Sequence, residues 1–478
     1  MHAYPDLHLY IDGKWRKTAE DMPVVNPATE QEIGRLPVAG LSDLQDAVAA
    51  AEKGFEIWRN TAPRDRADVL MRAAALLRER QEEIAQSITA EHGKPLTQAR
   101  LEVIRGCEFF EWDAGEATRL YGRVIPSATG TKYTVHHRPL GVVAGLSPWN
   151  FPMSQPARKI AGAIASGCSI ILKAAEETPA GAMHIVKAFH DAGLPDGVLN
   201  LVFGKPAMIS DYLIRQESVR LVAFTGSTAI GRQLTTLASE HMTPVLMELG
   251  GHAPVIVCED TDVQKAAISG AVRKMRNAGQ VCTSPTRFFV HENIFDEYVK
   301  TFVERAAATV VGDGTTEGTE MGPLANDRRV PMLTELVEDA RSKGATVATG
   351  GAGMDGAGYF FQPTVLTNVP DNARVMQEEP FGPLAVINPV SSLEEAIEKA
   401  NSVPFGLAAY GFTNRADYID QMSEGIEAGN VSFNTLEASL PETPFGGVKS
   451  SGYGREGGTE GLHNYTYVKN ISHSMDIV

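Results

Sequence analysis

The chain has 478 residues, 43% of them hydrophobic and 21% charged, with 45 glycines; that is a globular make-up too long for one hydrophobic core, so two or more domains are expected. A formal net charge of −16, with no basic cluster to outweigh it, argues against nucleic acid or an anionic membrane as partner. The longest mostly apolar run, residues 161–172, is too short for a bilayer and the start lacks a basic segment leading into an apolar one, so a cytoplasmic protein is expected.

The predicted elements begin with a helix from Ser42, marked by a capping box of Ser42 with Gln45 and by Leu44, Val48, Ala51 and Phe55 on one face. A longer helix follows Pro63. Residues 121–137 alternate polar and apolar around a Thr129-Gly130 turn, and 465–471 alternate likewise, so both read as exposed ribbons in need of a partner edge. Between 141 and 258, short β-branched runs at 141–146, 169–173, 198–203, 221–225 and 254–258 read as strands with helices between most of them, which predicts a parallel sheet covered on both faces. The helix after the second strand starts at Thr178-Pro179, a cap residue followed by proline. Further strands are predicted near 287–290, 361–366, 384–388 and 430–434, and a second α/β domain accounts for them.

Four cysteines, Cys107, Cys168, Cys258 and Cys282, form no CxxC pair and no dense framework, which speaks against structural zinc and stapling disulfides. No HExxH or other clustered ligands suggest a catalytic metal. A lone cysteine is most often a small buried hydrophobe. Cys282, however, stands in Gly279-Gln280-Val281-Cys282-Thr283, where a glycine and small polar neighbours let backbone amides approach a substrate. Glu248 sits beside Gly250-Gly251 at a strand end, a setting that leaves a base room to reach water. Ser147-Pro148-Trp149-Asn150-Phe151-Pro152 is at least a rigid loop, and it is able to aim Asn150 at a developing oxyanion. Residues 224–231, FTGSTAIG, end a strand and open a helix, as phosphate sites do, but lack the Lys-Ser/Thr of a nucleoside-triphosphate loop and equally fit a tight turn without a ligand.

Taken in order, PWNFP, KAAEETP, FTGSTAIG, MELGG, GQVCT, EEPFGP and PFGGVKSSGYGREGG resemble the aldehyde dehydrogenase superfamily over nearly the whole chain. The resemblance implies a Rossmann-type cofactor domain over 1–120 and 138–249, an α/β catalytic domain over 250–452, and a bridging β element from 121–137 and 460–478. It implies Cys282 as nucleophile, Glu248 as general base, and Asn150 with the Cys282 N–H as oxyanion hole. It also implies that Trp149, Lys173, Glu176, Gly226, Ser227, Leu249, Glu379 and Phe381 bind the cofactor. A carboxylate such as Glu176 accepts from a ribose 2′-hydroxyl and repels a 2′-phosphate, so NAD is expected ahead of NADP.

Arg158 and Arg287 sharpen the substrate class. Each is explained blandly as a surface or helix-pairing arginine, but two planar forks near a nucleophile would also clamp a carboxylate. PWNFPMSQPARK, ELGGHAPVIV and GQVCTSPTRFFV resemble the 2-oxoglutarate semialdehyde and succinic semialdehyde dehydrogenases of the superfamily, which implies that Gln155, Arg158 and Arg287 hold the acid end of the substrate. 2-Oxoglutarate semialdehyde is expected first and succinic semialdehyde second. Glu437 opposes this if it points into the tunnel. A histidine-assisted hydrolase lacks a histidine motif beside Cys282, a retired binding protein would not need all three catalytic residues, and a coenzyme A acylating relative has less need of Glu248. The ribbons are expected to extend a neighbouring subunit's sheet, giving a homodimer or homotetramer.

Overall fold

A computed structural model describes residues 3–475. Residues 476–478, the end of the predicted bridging segment, lie outside it. The first helix is Leu41–Trp58 and begins ahead of the expected capping box. Gly40 is its N-cap, and Asp43, in place of Gln45, reaches back to accept from the Gly40 N–H at 2.9 Å. Ser42 is thereby drawn into the first turn. Helices Pro63–Glu79, Gln81–His92 and Leu96–Ala117 follow.

Five parallel strands form the centre of an eight-stranded sheet, in the order Leu199–Val202, Ser169–Lys173, Val142–Leu146, Val219–Thr225, Val245–Glu248. Short antiparallel strands flank them, Leu9–Ile11 and Lys14–Arg16 on one side and Gly452–Tyr453 on the other. Every residue of the three strands 142–146, 169–173 and 199–202 is buried, as expected of a sheet covered on both faces.

A second sheet of seven strands runs Thr346–Thr349, Thr364–Thr367, Leu384–Val390, Pro285–His291, Ala253–Val257, Ala408–Phe412, Asn430–Phe433, parallel except for its first member. The run predicted at 254–258 as the last of the first series therefore belongs here. Val245–Glu248 takes its place in the first sheet, and Gly250-Gly251 carry the chain across. A buried APVIV reads the same in either sheet, so periodicity alone cannot assign it. The strand predicted from 361 starts at Thr364, just after Pro363, which has no N–H to give a ladder.

The two ribbons come together. Arg123–Ile125, Thr131–Pro139 and Thr466–Ser474 make one antiparallel three-stranded sheet in which Thr466 pairs with Pro139 and Ser474 with Thr131. In the first sheet, successive connections run to opposite sides of Val142–Leu146, so a crevice opens at the carboxyl ends of 142–146 and 219–225, the place where such sheets bind ligands.

Candidate active site

Cys282 is presented by a strained loop. Helix Val263–Met275 ends, and Asn277, Ala278 and Gly279 follow with φ of 54°, 52° and 68°. Two successive non-glycine residues in the left-handed region cost on the order of 1 to 3 kcal/mol each, so the surroundings must impose them. Gln98 accepts from the Asn277 N–H at 2.9 Å, the Asn277 side chain donates to the carbonyls of Asn150 and Gln280, and the Gln280 side chain accepts from the Ala325 N–H at 3.0 Å. Gly279 has no space for a side chain, because a Cβ there would lie 2.0 Å from the Gly382 oxygen.

Cys282 is part-exposed and opens on a cavity of about 440 Å³. Its thiol is pushed up to about 12, first by burial and then by the carboxylates of Glu379 and Glu248, with Arg158 opposing. Glu248 ends its strand 2% exposed, and neither carboxylate oxygen has a hydrogen-bond partner. Burial, then the nearby Glu456, holds this carboxyl well above the usual range. Such a group is built to hold a proton and release it. Glu456 itself pairs with the buried Lys159 at 2.9 Å.

Asn150 is buried and donates from Nδ2 to the Gln280 carbonyl at 3.0 Å, which ties it to the cysteine loop. Its own carbonyl accepts from Lys94 Nζ at 2.9 Å, and Lys94 pairs with Glu102 at 2.5 Å. Glu102 in turn accepts from the N–H groups of Met153 and Ser154 at the start of helix Ser154–Ser166. One buried ion pair thus fixes both the Asn150 loop and the helix that carries Gln155 and Arg158.

Arg158 lines the cavity with Cys282 and Gln155. Its guanidinium lies between the rings of Phe109 at 4.0 Å and Phe445 at 4.8 Å and donates to the Ser439 hydroxyl. The side chain is 6% exposed, yet its Nη1 has no partner. A buried cationic donor left over beside a nucleophile is a place for an anion.

Arg287 does not share that cavity, which corrects the expected two-arginine clamp. It lies inside a central strand, 1% exposed, and its Nε, Nη1 and Nη2 donate to the backbone carbonyls of His252, Lys399 and Ala400 at 3.1, 3.0 and 2.9 Å. Two of these carbonyls end helix Leu393–Asn401, so the guanidinium is committed to capping that helix. The other cations in the cavity lining are Arg276, six residues before Cys282, Arg105 and Arg273. Sequence reading missed Arg276; its signal was the abrupt end of the helical pattern in RNAGQVC, which leaves that side chain on the inner side of the turn. Glu437 also lines the cavity, but Arg273 grips its carboxylate through both nitrogens at 2.9 and 3.4 Å.

The remaining residues lie along the crevice. Lys173 and Glu176 pair at 2.8 Å at the end of strand Ser169–Lys173. Gly226 sits where a Cβ would strike the Phe224 ring at 2.3 Å, and Ser227 caps helix Thr228–Ser239 by accepting from the Ile230 N–H. Leu249 is buried and packs against Gly231. Glu379 accepts from the Gly251 N–H at 3.3 Å, its carboxyl pushed up to about 7 by burial. Phe381 packs edge-on against Trp149, centroids 5.5 Å apart. A polar pair at one strand end, a helix N-terminus at the next and an aromatic pair next to Asn150 suit a ribose, a pyrophosphate and a nicotinamide ring in turn, so these residues fit a dinucleotide.

The family model described as "Aldehyde dehydrogenase family" matches residues 15–471. The chain belongs to the aldehyde dehydrogenase family. It is 45% identical to the 4-(hydroxymethyl)benzenesulfonate dehydrogenase TsaD1 of Comamonas testosteroni over 98% of each chain. It is 39% identical to the 3-sulfolactaldehyde dehydrogenase of Pseudomonas putida, over 97% of this chain and 96% of the other. Among solved structures it is similar to the succinate-semialdehyde dehydrogenase of Burkholderia pseudomallei, with a TM-score of 0.96 and 37% identity over 98% of each chain. Aldehyde dehydrogenases use NAD or NADP, and this aldehyde dehydrogenase has the fold of its family. Among its described residues no helix is long and apolar enough to cross a membrane.

Proposed function

We propose that this aldehyde dehydrogenase oxidises an aldehyde bearing a carboxylate or sulfonate to the corresponding acid, through a thioester on Cys282. The observation that carries the reading is Arg158, a buried guanidinium between two phenyl rings with Nη1 unpaired, lining the cavity that Cys282 opens on. Cys282 Sγ adds to the carbonyl carbon, its proton leaving to Glu248 or to water that Glu248 polarises. The Asn150 side-chain amide and the Cys282 N–H stabilise the oxyanion. A nicotinamide cofactor, when bound, supplies the hydride acceptor. Lys173, Glu176, Gly226, Ser227 and Leu249 hold its adenosine and pyrophosphate half, and Glu379, Phe381 and Trp149 its nicotinamide half. Once its first proton has passed to solvent, Glu248 takes a proton from water as the water oxygen adds to the thioester carbon, and it returns that proton to the Cys282 sulfur, which leaves as thiol when the C–S bond breaks. The buried, unpartnered carboxyl of Glu248 supports hydrolysis over transfer to coenzyme A.

Among carboxylates, 2-oxoglutarate semialdehyde is the first candidate and succinic semialdehyde the second. A sulfonated aromatic aldehyde is the alternative, favoured by the rings of Phe109, Phe151 and Phe445 in the lining and by the names of the two sulfonate-directed relatives. The division into a cofactor domain over 1–120 and 138–249 and a catalytic domain over 250–452 accords with the two sheets. Exposed Val124, Tyr133 and Val468 on the three-stranded ribbon support a homo-oligomer formed through it, and four free cysteines support a reducing, cytoplasmic setting.

The test is kcat/KM with NAD for the two semialdehydes, a sulfobenzaldehyde and an uncharged aldehyde of similar length, repeated in Arg158→Ala. Losing a desolvated charge-assisted contact costs about 1.5 to 3 kcal/mol, or roughly one to two decades in rate. The anionic aldehydes are expected to win and the variant to erase their lead. A win for the uncharged aldehyde would sink the substrate assignment, and turnover surviving in Cys282→Ala would sink the catalytic one.

A further inference from the structure

Phe381 has φ of 43°, a left-handed backbone that a bulky residue adopts only when held there. The holder is Arg329, the first residue of helix Arg329–Ser342. Its Nη2 donates to two successive carbonyls, Pro380 at 2.6 Å and Phe381 at 2.7 Å, and its guanidinium stands over the Phe381 ring at 5.6 Å. Nη1 turns back to the Met332 sulfur at 3.2 Å, and Nε is buried without a partner. Among the described residues Arg329 forms no ion pair, although Glu379 lies close enough to favour its charge. A half-buried cation whose strong bonds go to two carbonyls of one strained turn is there for that turn.

The contacts continue on both sides. Phe381 meets Trp149 edge-on, next to Asn150. Arg328, adjacent to Arg329, pairs with Glu177 at 3.1 Å, beside Glu176 in the loop after strand Ser169–Lys173. The start of this helix therefore touches both ends of the crevice, at Glu177 on one side and at Phe381 on the other.

We propose that Arg329 is a positioning residue for the nicotinamide half of the cofactor, locking the Glu379–Phe381 turn in its left-handed form so that Glu379 and Phe381 face the crevice. The inference rests on the cofactor site proposed above. Arginine suits the task because its plane lies over a ring while its edge holds carbonyls; lysine keeps the charge but not the plane.

The experiment is titration of the cofactor-free protein with NADH, followed by fluorescence, for wild type, Arg329→Ala and Arg329→Gln. Alongside it run the thermal midpoint, the KM for aldehyde at saturating NAD, and the rate at which iodoacetamide alkylates Cys282. Arg329→Ala is expected to weaken NADH binding about tenfold and Arg329→Gln at least threefold. The aldehyde KM and the alkylation rate are expected to stay within twofold of wild type. Unchanged NADH affinity in both variants overturns the proposal. So does a fall in NADH affinity that comes with equal losses in aldehyde KM and thermal midpoint, because that marks a general structural role. If Arg329→Ala does not fold, Arg329→Gln decides alone by the same thresholds. Failure of the wild type to bind NADH would overturn the cofactor site itself rather than the part Arg329 plays in it.

Discussion

Replacing Arg287 by methionine separates a structural arginine from a substrate-binding one. The side chain is buried and donates to three backbone carbonyls, those of His252, Lys399 and Ala400. An unsatisfied buried acceptor costs about 1 to 3 kcal/mol, so three approach 3 to 9 kcal/mol before relaxation. Part of that is returned. Burial alone pushes this guanidinium down to about 10, so the native state carries a desolvation cost that methionine abolishes. A net loss of about 2 to 5 kcal/mol remains, a large share of the 5 to 15 kcal/mol that holds a typical protein together. Urea titration followed by far-ultraviolet circular dichroism reads the loss as a lower midpoint, and kcat/KM on the folded fraction reads specificity. The midpoint should fall while the ratio of anionic to uncharged aldehyde stays at its wild-type value. An unchanged midpoint with a collapsed ratio would restore Arg287 to the substrate and refute the reasoning from burial.

Glu248→Gln should leave one rapid turnover of NADH and then stall, because the thioester forms but no base draws a proton from water; a steady-state rate like wild type in stopped-flow traces would contradict the role. Since burial, then Glu456, holds the Glu248 carboxyl well above its ordinary range, its basic form accumulates at higher pH than a free carboxylate does, and the wild-type rate should climb with pH where the variant's does not. The Asp113 carboxyl is pushed up to about 8, mainly by burial with Glu116 and Glu456 adding to it against Arg158. A raised folded value means stability that is full below the unfolded value of about 4 and is lost as pH rises through 8, so Asp113→Asn should flatten the decline of denaturation midpoint over that window. Glu437 is 51% exposed in its pair with Arg273, and such a pair contributes about 0 to 1 kcal/mol. Glu437→Gln should therefore spare stability but free Arg273 at the cavity, lowering KM for anionic aldehydes a few-fold at low salt and less at high salt.

Periodicity reached the first sheet well because its strands are short, fully apolar and separated by capped helices. Residues 169–173 and the Thr178-Pro179 helix start were placed as they occur. It failed where two solutions share one pattern. Ala253–Val257 is as apolar as its predecessors, and only the handover at Gly250-Gly251 says that the sheet has changed. Val245–Glu248 was read only as a strand end at Glu248, because its four residues merge with the glycine turn, and Ala408–Phe412 was not read as a strand, because alanine and glycine dilute the β-branched signal. The N-terminal cap was misplaced because Ser42 is the better capping residue, yet Asp43 reaching back to Gly40 won by starting the helix earlier.

The substrate pocket was half legible, and the half that was missed has a physical cause. Arg158 and Arg287 stand equally well in sequence as carboxylate forks, one six residues after Pro152 and the other five after Cys282. What separates them is the element each occupies. Arg158 projects from the second turn of a helix whose start is pinned by Glu102, and its fork reaches the cavity, where the rings of Phe109 and Phe445, more than 300 residues apart in the chain, pack against it. Arg287 projects from a central strand toward the last turn of helix Leu393–Asn401, whose free carbonyls at Lys399 and Ala400 take its charge together with the His252 carbonyl. Arg276, which lies where the helix breaks into the left-handed loop, had only the end of the helical pattern as its signal, because left-handed residues at Asn277 and Ala278 break no rule that composition reveals. The site is thus assembled from places where the backbone departs from regular structure, and those are the places that a reading built on regular periods passes over.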